Sequence, residues 1–203
     1  MTASMAKTPL KKYTFAVRLP SGTKFCGDKI ILSERRFEMF FSTADGAEAV
    51  LFYNALFTQK HKPYKSRFDN EIALTGICIE KEKIITTPEI LCRTAMPIIA
   101  REHDHSANKD IFFSAEKERF NEVITQNVRF QAAEAGFDPS ITDGFTFEWL
   151  APKKTVVRHK QILIECTIGL FRLTGKPELL TYLYEAGISG KKSFGFGYFN
   201  ILS

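Results

Sequence analysis

ILIECTIGLFRLTGKPELLTYLYEAG, residues 162–187, is the stretch whose reading decides the fold. Ile162, Ile164, Cys166, Ile168 and Leu170 occupy alternate positions, so they share one face of a strand over nine residues. Gly175 and Pro177 then turn the chain. Leu179, Leu180, Leu183 and Tyr184 follow at helical spacing, and Gly187 suits the end of that helix. Beyond it, 195–202 reads as a closing strand. Before it, 145–149 and 155–159 read as two strands. Further back, Ser114 offers an N-cap to a helix that carries Phe120, Val123, Ile124 and Val128 on one face and ends near Gly136. Residues 90–101 look extended, with Pro97 marking an edge or a break, and 102–110 is a polar stretch. From Ile90 onward the order is strand, helix, strand, strand, helix, strand, which is the ferredoxin-like split βαβ order.

The first half repeats part of that order. Tyr13, Phe15, Val17 and Leu19 alternate with Thr14, Ala16 and Arg18, which gives a strand one apolar face. Residues 30–32 and 37–41 read as strands. Ser42 and Thr43 offer N-caps, Asp45 suits the positive helix end, and a helix carrying Ala47, Val50 and Leu51 should run to about Phe57. Residues 59–67 form a basic loop with Pro63. Ile72 and Leu74 then give way to the opposite phase of Ile77 and Ile79, with a bulge expected at Gly76. The fold expected is α+β: tandem ferredoxin-like (RRM-like) modules, residues 1–89 and 90–203, the first incomplete at its N-terminus.

Composition narrows the function. The net charge is +5, and its placement says more than its size. From Ala151 to the C-terminus there are eight basic residues (Lys153, Lys154, Arg158, Lys160, Arg172, Lys176, Lys191 and Lys192) against three acids, Glu165, Glu178 and Glu185. The remainder of the chain is balanced, so the positive excess belongs to its last quarter, and such an excess attracts polyanions, nucleic acid first. No apolar run reaches the length of a membrane span, and no secretory signal opens the chain; a cytoplasmic protein without membrane partners is expected. Cys26, Cys78, Cys92 and Cys166 include no close pair, and buried reduced thiols are expected. No carboxylate cluster suggests a metal, and no cofactor is expected.

Residues 186–197, AGISGKKSFGFG, have the physics of a phosphate-backbone clamp. Glycines let main-chain N–H groups approach phosphate, and Lys191 and Lys192 supply charge. The plain alternative is a glycine-rich hairpin with Phe196 and Tyr198 in the core. Here the sequence resembles the CRISPR-associated repeat-RNA endoribonucleases of the RAMP superfamily, which carry a loop of the form G-x-G-(x5)-G-F-G between their last helix and last strand. Gly187, Gly195, Phe196 and Gly197 match; Ser189 stands at the second glycine, and Gly190 follows one place later. Residues 96–105, MPIIAREHDH, with Asn108, Lys109 and Asp110, are similar to the family's SPIV-R-H and NKD region, and 153–159 is similar to a basic strand of bacterial members. The resemblance runs from Lys12 to Leu202. Members usually carry tens of residues before the strand near Lys12, forming the first strand and helix and often supplying a catalytic histidine.

The resemblance implies binding of CRISPR repeat RNA and its metal-independent cleavage, in which a 2′-hydroxyl attacks the adjacent phosphate. It also brings in CRISPR effector-complex subunits and a homodimer as partners to consider. A noncatalytic RNA-binding or complex-occupying homologue is the alternative. Such chemistry needs a base, an acid and cationic help, and histidine's ordinary pKa near 6.5 suits it. The catalytic candidates are His103 and His105, in the polar stretch with Lys109, and His61, between Lys60 and Lys62. The RNA-binding candidates are Gly187, Ser189, Gly190, Lys191, Lys192, Ser193, Gly195 and Gly197 of the loop, Lys153, Lys154, Arg158 and His159 of the basic strand, and Arg101 and Lys109.

Overall fold

A computed structural model describes residues 11–104, 106–159 and 162–202. Its elements in chain order are β1 (Tyr13–Arg18), β2 (Lys24–Cys26), β3 (Lys29–Ile31), β4 (Glu38–Thr43), α1 (Gly46–Gln59), β5 (Pro63–Lys65), β6 (Glu71–Ala73), β7 (Glu89–Thr94), β8 (Ala100–Asp104), β9 (Lys109–Phe113), α2 (Phe120–Ala135), β10 (Thr146–His159), β11 (Ile162–Thr174), α3 (Pro177–Ala186) and β12 (Phe199–Ile201). Short 3₁₀ turns occupy Pro139–Thr142 and Lys192–Phe194. One compact unit runs to Ala44 and resumes at Ile85; Asp45–Ile84 form a second.

In the larger unit, β10, β11, β7 and β12 lie side by side in that order, every neighbouring pair antiparallel. With α2 between β7 and β10, and α3 between β11 and β12, this is the ferredoxin-like arrangement. The polar stretch expected at 102–110 is instead the hairpin β8–β9, inserted between β7 and α2. Phe120, Val123, Ile124 and Val128 of α2 and Leu179, Leu180 and Leu183 of α3 close over Ile90, Cys92, Phe147, Phe171, Leu173 and Phe199 of the sheet. Each such side chain contributes roughly 1.5–3 kcal/mol by leaving water. A second, smaller cluster holds Ile99, Ile164, Cys166 and Phe196.

Those two clusters explain why the nine-residue face expected of β11 is broken. Ile164 and Cys166 are buried, but beyond them burial moves to Phe171 and Leu173, the opposite phase. The slip falls at Gly169, paired with Pro152 where β10 bulges between Trp149 and Ala151. β11 has no extra residue of its own: its first half is buried on one face against the smaller cluster and its second half on the other face against the larger one. Residues 145–149 and 155–159, expected as separate strands, are one bulged strand, β10.

Other expectations are corrected locally. α2 begins at Phe120 after Arg119, without a side-chain cap, so Ser114 does not cap it; α2 does end at Gly136, whose φ is +89°. Asp45 itself caps α1, its Oδ1 accepting from the amides of Ala47 and Glu48, while Ser42 and Thr43 belong to β4. In β1 the buried residues are Thr14 and Ala16, and Tyr13, Phe15 and Val17 are half-buried. Cys92 and Cys166 are buried thiols, but Cys26 and Cys78 are exposed. In the smaller unit α1 buries none of its side chains, and β5, in the stretch expected to be loop, pairs with β6. No helix among the described residues is long and apolar enough to cross a membrane.

Candidate functional site

The glycine loop, 187–197, leaves α3 and packs into the body of the larger unit. The Ile188 amide donates to the Gly197 carbonyl, Gly190 to Ile99, Gly195 to Lys192, and Gly197 to Pro97, all within 2.8–3.1 Å. The buried Ser189 hydroxyl accepts from the Ile99 amide (2.9 Å) and donates to the Ile99 carbonyl (3.1 Å). On the other side, Thr14 of β1 donates its hydroxyl to the Phe196 carbonyl (2.9 Å). The glycines serve close approach. A Cβ on Gly187 would lie 2.7 Å from Thr14 Cγ2, and one on Gly190 2.7 Å from Arg101 Cβ. The expectation that these glycines offer their amides to phosphate is thus corrected for Gly190, Gly195 and Gly197, whose N–H groups are satisfied inside the protein. Phe196 is buried, as the hairpin alternative requires.

Lys191 and Lys192 separate. Lys192 is a correction to the expected surface charge: it is 3% exposed, its Nζ donates to Gln131 Oε1 of α2 (2.8 Å), and it lies 5.9 Å from the Tyr182 ring centre. Burial, with no carboxylate to offset it, pushes its ammonium down to about 7. Lys191, in the left-handed region at φ +54°, points instead to Asp110 on β9. Its Nζ lies 2.9 Å from Asp110 Oδ2 and 5.7 Å from the centre of the Phe112 ring.

Asp110 collects more than this lysine. Its Oδ1 accepts from Arg101 Nη2 (2.8 Å) and from His103 Nδ1 (3.0 Å). Cross-strand pairing explains the meeting: His103 is directly opposite Asp110 in the β8–β9 register, and Arg101 is two residues from His103, on the same face. Asn127 of α2 grips the Arg101 backbone on both sides, accepting from its amide (2.9 Å) and donating to its carbonyl (2.8 Å). Burial pushes the Asp110 carboxyl up, but the hydrogen bonds from Arg101, His103 and Lys191 outweigh it and hold the group well below the usual carboxylate range. Two permanent cations face one carboxylate, so the cluster keeps a net positive charge. It borders an open cleft of about 450 Å³ lined by Asp104, Lys109, Asp110, Ile111, Phe112, Leu163 and Glu165.

Of the sequence candidates, the structure brings Arg101, His103, Lys109, Gly190 and Lys191 to one place. Ser193 is half-buried in the 3₁₀ turn beside them. Lys153 and Arg158 are exposed on β10, whereas the Lys154 ammonium is paired with Glu116 and Glu165. His159 ends β10. His61, exposed and at φ +63°, belongs to the smaller unit. His105 lies outside the described residues. Sequence reasoning missed Asp110 and Gln131. Asp110 stood in plain view in the Asn-Lys-Asp segment, and the signal that could have found it is the hairpin register opposite His103.

The family model described as CRISPR associated protein Cas6, C-terminal, matches residues 80–201. No curated protein matches the chain. Among solved structures, a Cas6-related gene product from Pyrococcus furiosus superposes with a TM-score of 0.81 at 19% identity, covering 97% of this chain and 81% of that one. A RAMP protein described as binding different RNA substrates gives 0.79 at 20% identity, covering 97% and 81%. A CRISPR associated protein Cas6 gives 0.71 at 18% identity, covering 95% and 79%. At these identities the likeness is one of fold.

Proposed function

This chain belongs to the family of the CRISPR associated protein Cas6, and on that premise we propose that it binds CRISPR repeat RNA and cleaves the precursor by attack of a 2′-hydroxyl on the adjacent phosphate, without a metal ion, in the cytoplasm. The observation that carries this reading is the convergence of Arg101, His103 and Lys191 on Asp110 at the rim of the cleft. A transesterification at phosphorus develops negative charge on the phosphoryl oxygens, and the two cations answer it. It also needs a base for the 2′-hydroxyl proton. Among the candidate histidines, the geometry gives His103 an orienting carboxylate. The exposed Lys153 and Arg158 on β10 add positive charge that can attract the ribose-phosphate chain.

The test uses labelled repeat RNA in EDTA beside the same RNA with a 2′-deoxy nucleotide at the cleavage position. Cleavage of the all-ribose strand alone, leaving a 2′,3′-cyclic phosphate, is the expected result. Binding of both strands with neither cut would replace the enzyme with a noncatalytic RNA-binding homologue. Alanine at His61, His103 or His105 in turn identifies the base, with the loss expected at His103.

A further inference from the structure

We infer that Asp110 is a positioning residue for the cleavage step: it fixes the His103 imidazole as its Nδ1–H tautomer and so makes Nε2 the nitrogen that takes the proton of the attacking 2′-hydroxyl. The inference deepens the cleavage reading above and rests on it. An imidazole without a fixed partner exchanges between two tautomers and rotates about χ2. Here a carboxylate oxygen lies 3.0 Å from Nδ1, and an ionised carboxylate only accepts, so Nδ1 must carry the hydrogen. Asp110 stays ionised because three donors outweigh its burial.

The carboxylate is itself held from both oxygens. Arg101 reaches Oδ1 and Lys191 reaches Oδ2, so its plane cannot turn away from His103. Arg101 is fixed in turn by Asn127 of α2, and Lys191 by a loop whose Ser189 and Gly190 are hydrogen-bonded to Ile99. A helix, a hairpin and the glycine loop therefore converge to orient one imidazole. The loop's contribution to chemistry is to deliver Lys191 to Oδ2.

The step balances as follows. The 2′-oxygen bonds to phosphorus while its proton passes to Nε2 of His103. The P–O5′ bond breaks with its electron pair on the 5′-oxygen, which takes a proton from water. The imidazolium, its Nδ1–H still on Asp110, gives its proton to the hydroxide so formed. The products are a 2′,3′-cyclic phosphate and a 5′-hydroxyl, with no net change in the protein.

The experiment compares the wild type with Asp110→Asn and Asp110→Glu. It measures single-turnover cleavage at saturating repeat RNA, RNA binding, and the ¹⁵N shifts of the His103 ring. The wild-type ring should show the Nδ1–H tautomer. D110N should cleave at least about 100-fold more slowly while binding RNA no more than about threefold more weakly, with its ring a mixture of tautomers. D110E, which keeps a carboxylate, should recover part of the rate. Cleavage by D110N at the wild-type rate, a D110E no faster than D110N, or a wild-type ring protonated on Nε2 alone would each overturn the inference. The ring measurement on the wild type decides even where D110N does not fold. A wild type that binds repeat RNA and never cuts it overturns the cleavage reading itself, and that result appears before any variant is made.

Discussion

Lys192 carries a charge problem that its neighbour does not. Lys191 meets a carboxylate, whereas Lys192 is buried against an amide oxygen and an aromatic ring. Burial sets its folded pKa at about 7, far below the ordinary lysine value. The sign follows. Below pH 7 the folded and unfolded chains both hold the proton, and the cost of burying the ammonium is fully present. Above pH 7 the folded chain releases the proton that the unfolded chain keeps, so stability rises as pH climbs from 7 toward 10. The slope can reach about 1.4 kcal/mol per pH unit. Lys192→Met should lack that rise. Urea midpoints of the two proteins between pH 7 and pH 10, at unchanged m, should converge as pH increases; parallel curves would refute the assignment. The sequence could not separate the two lysines. Adjacent residues in a strand point to opposite sides, but these lie in a turn, where one residue in the left-handed region sends Lys191 out to Asp110 and leaves Lys192 facing α2.

Among the elements, β11 shows how far periodicity carries. The strand, its antiparallel partners and the helix that follows were all legible in alternation and in the Gly175–Pro177 turn. What alternation could not show was the reversal at Gly169, because Ile168 and Leu170 are apolar and keep the old phase in sequence while burial changes. The reason is that opposite faces of its two halves meet two separate clusters, and its partner β10 bulges before Ala151, close to where burial changes sides. Gly169 sits at φ +145°, and a Cβ there would overlap the Ala151 carbonyl oxygen. Gly169→Ala should therefore cost at least about 3 kcal/mol, from backbone strain and overpacking together. Gly136 makes the contrast. It also has positive φ, but nothing lies within 4 Å of an added Cβ, so Gly136→Ala should cost only the left-handed penalty of roughly 1–2 kcal/mol. Chemical denaturation of the two variants checks the difference, and equal losses would contradict it. The caps were less legible than the strands, since a serine or threonine ahead of an apolar run signals a helix start only if the chain turns there. At Ser114 the chain makes a turn but no helix begins until Phe120, whereas Asp45, read as a helper to the dipole, is the cap itself.

For the whole molecule the sequence places the positive excess in the last quarter, and the structure decides how much of it can meet a polyanion. Arg172 is paired with Glu89 and Glu148, Lys154 with Glu116 and Glu165, and Lys191 with Asp110. Lys176 donates to the Ser140 carbonyl, and Lys192 is buried. Among the described basic residues of that quarter, Lys153 and Arg158 of β10 are exposed. A long-range field arises from all charges alike, but the release of counterions from RNA depends on cations that touch phosphate. Exposed β10 and buried Lys192 must therefore differ in their effect on salt dependence. Replacing Lys153 and Arg158 together by alanine should lower the slope of log K against log[salt] for a single-stranded repeat by about 1.4, at roughly 0.7 per phosphate contact. Lys192→Met should leave that slope unchanged, although it lies in the segment with the clearest glycine signature. Binding isotherms from 50 to 300 mM salt distinguish the two. A slope that falls with Lys192 and not with the β10 pair would move the RNA path from β10 to the glycine loop.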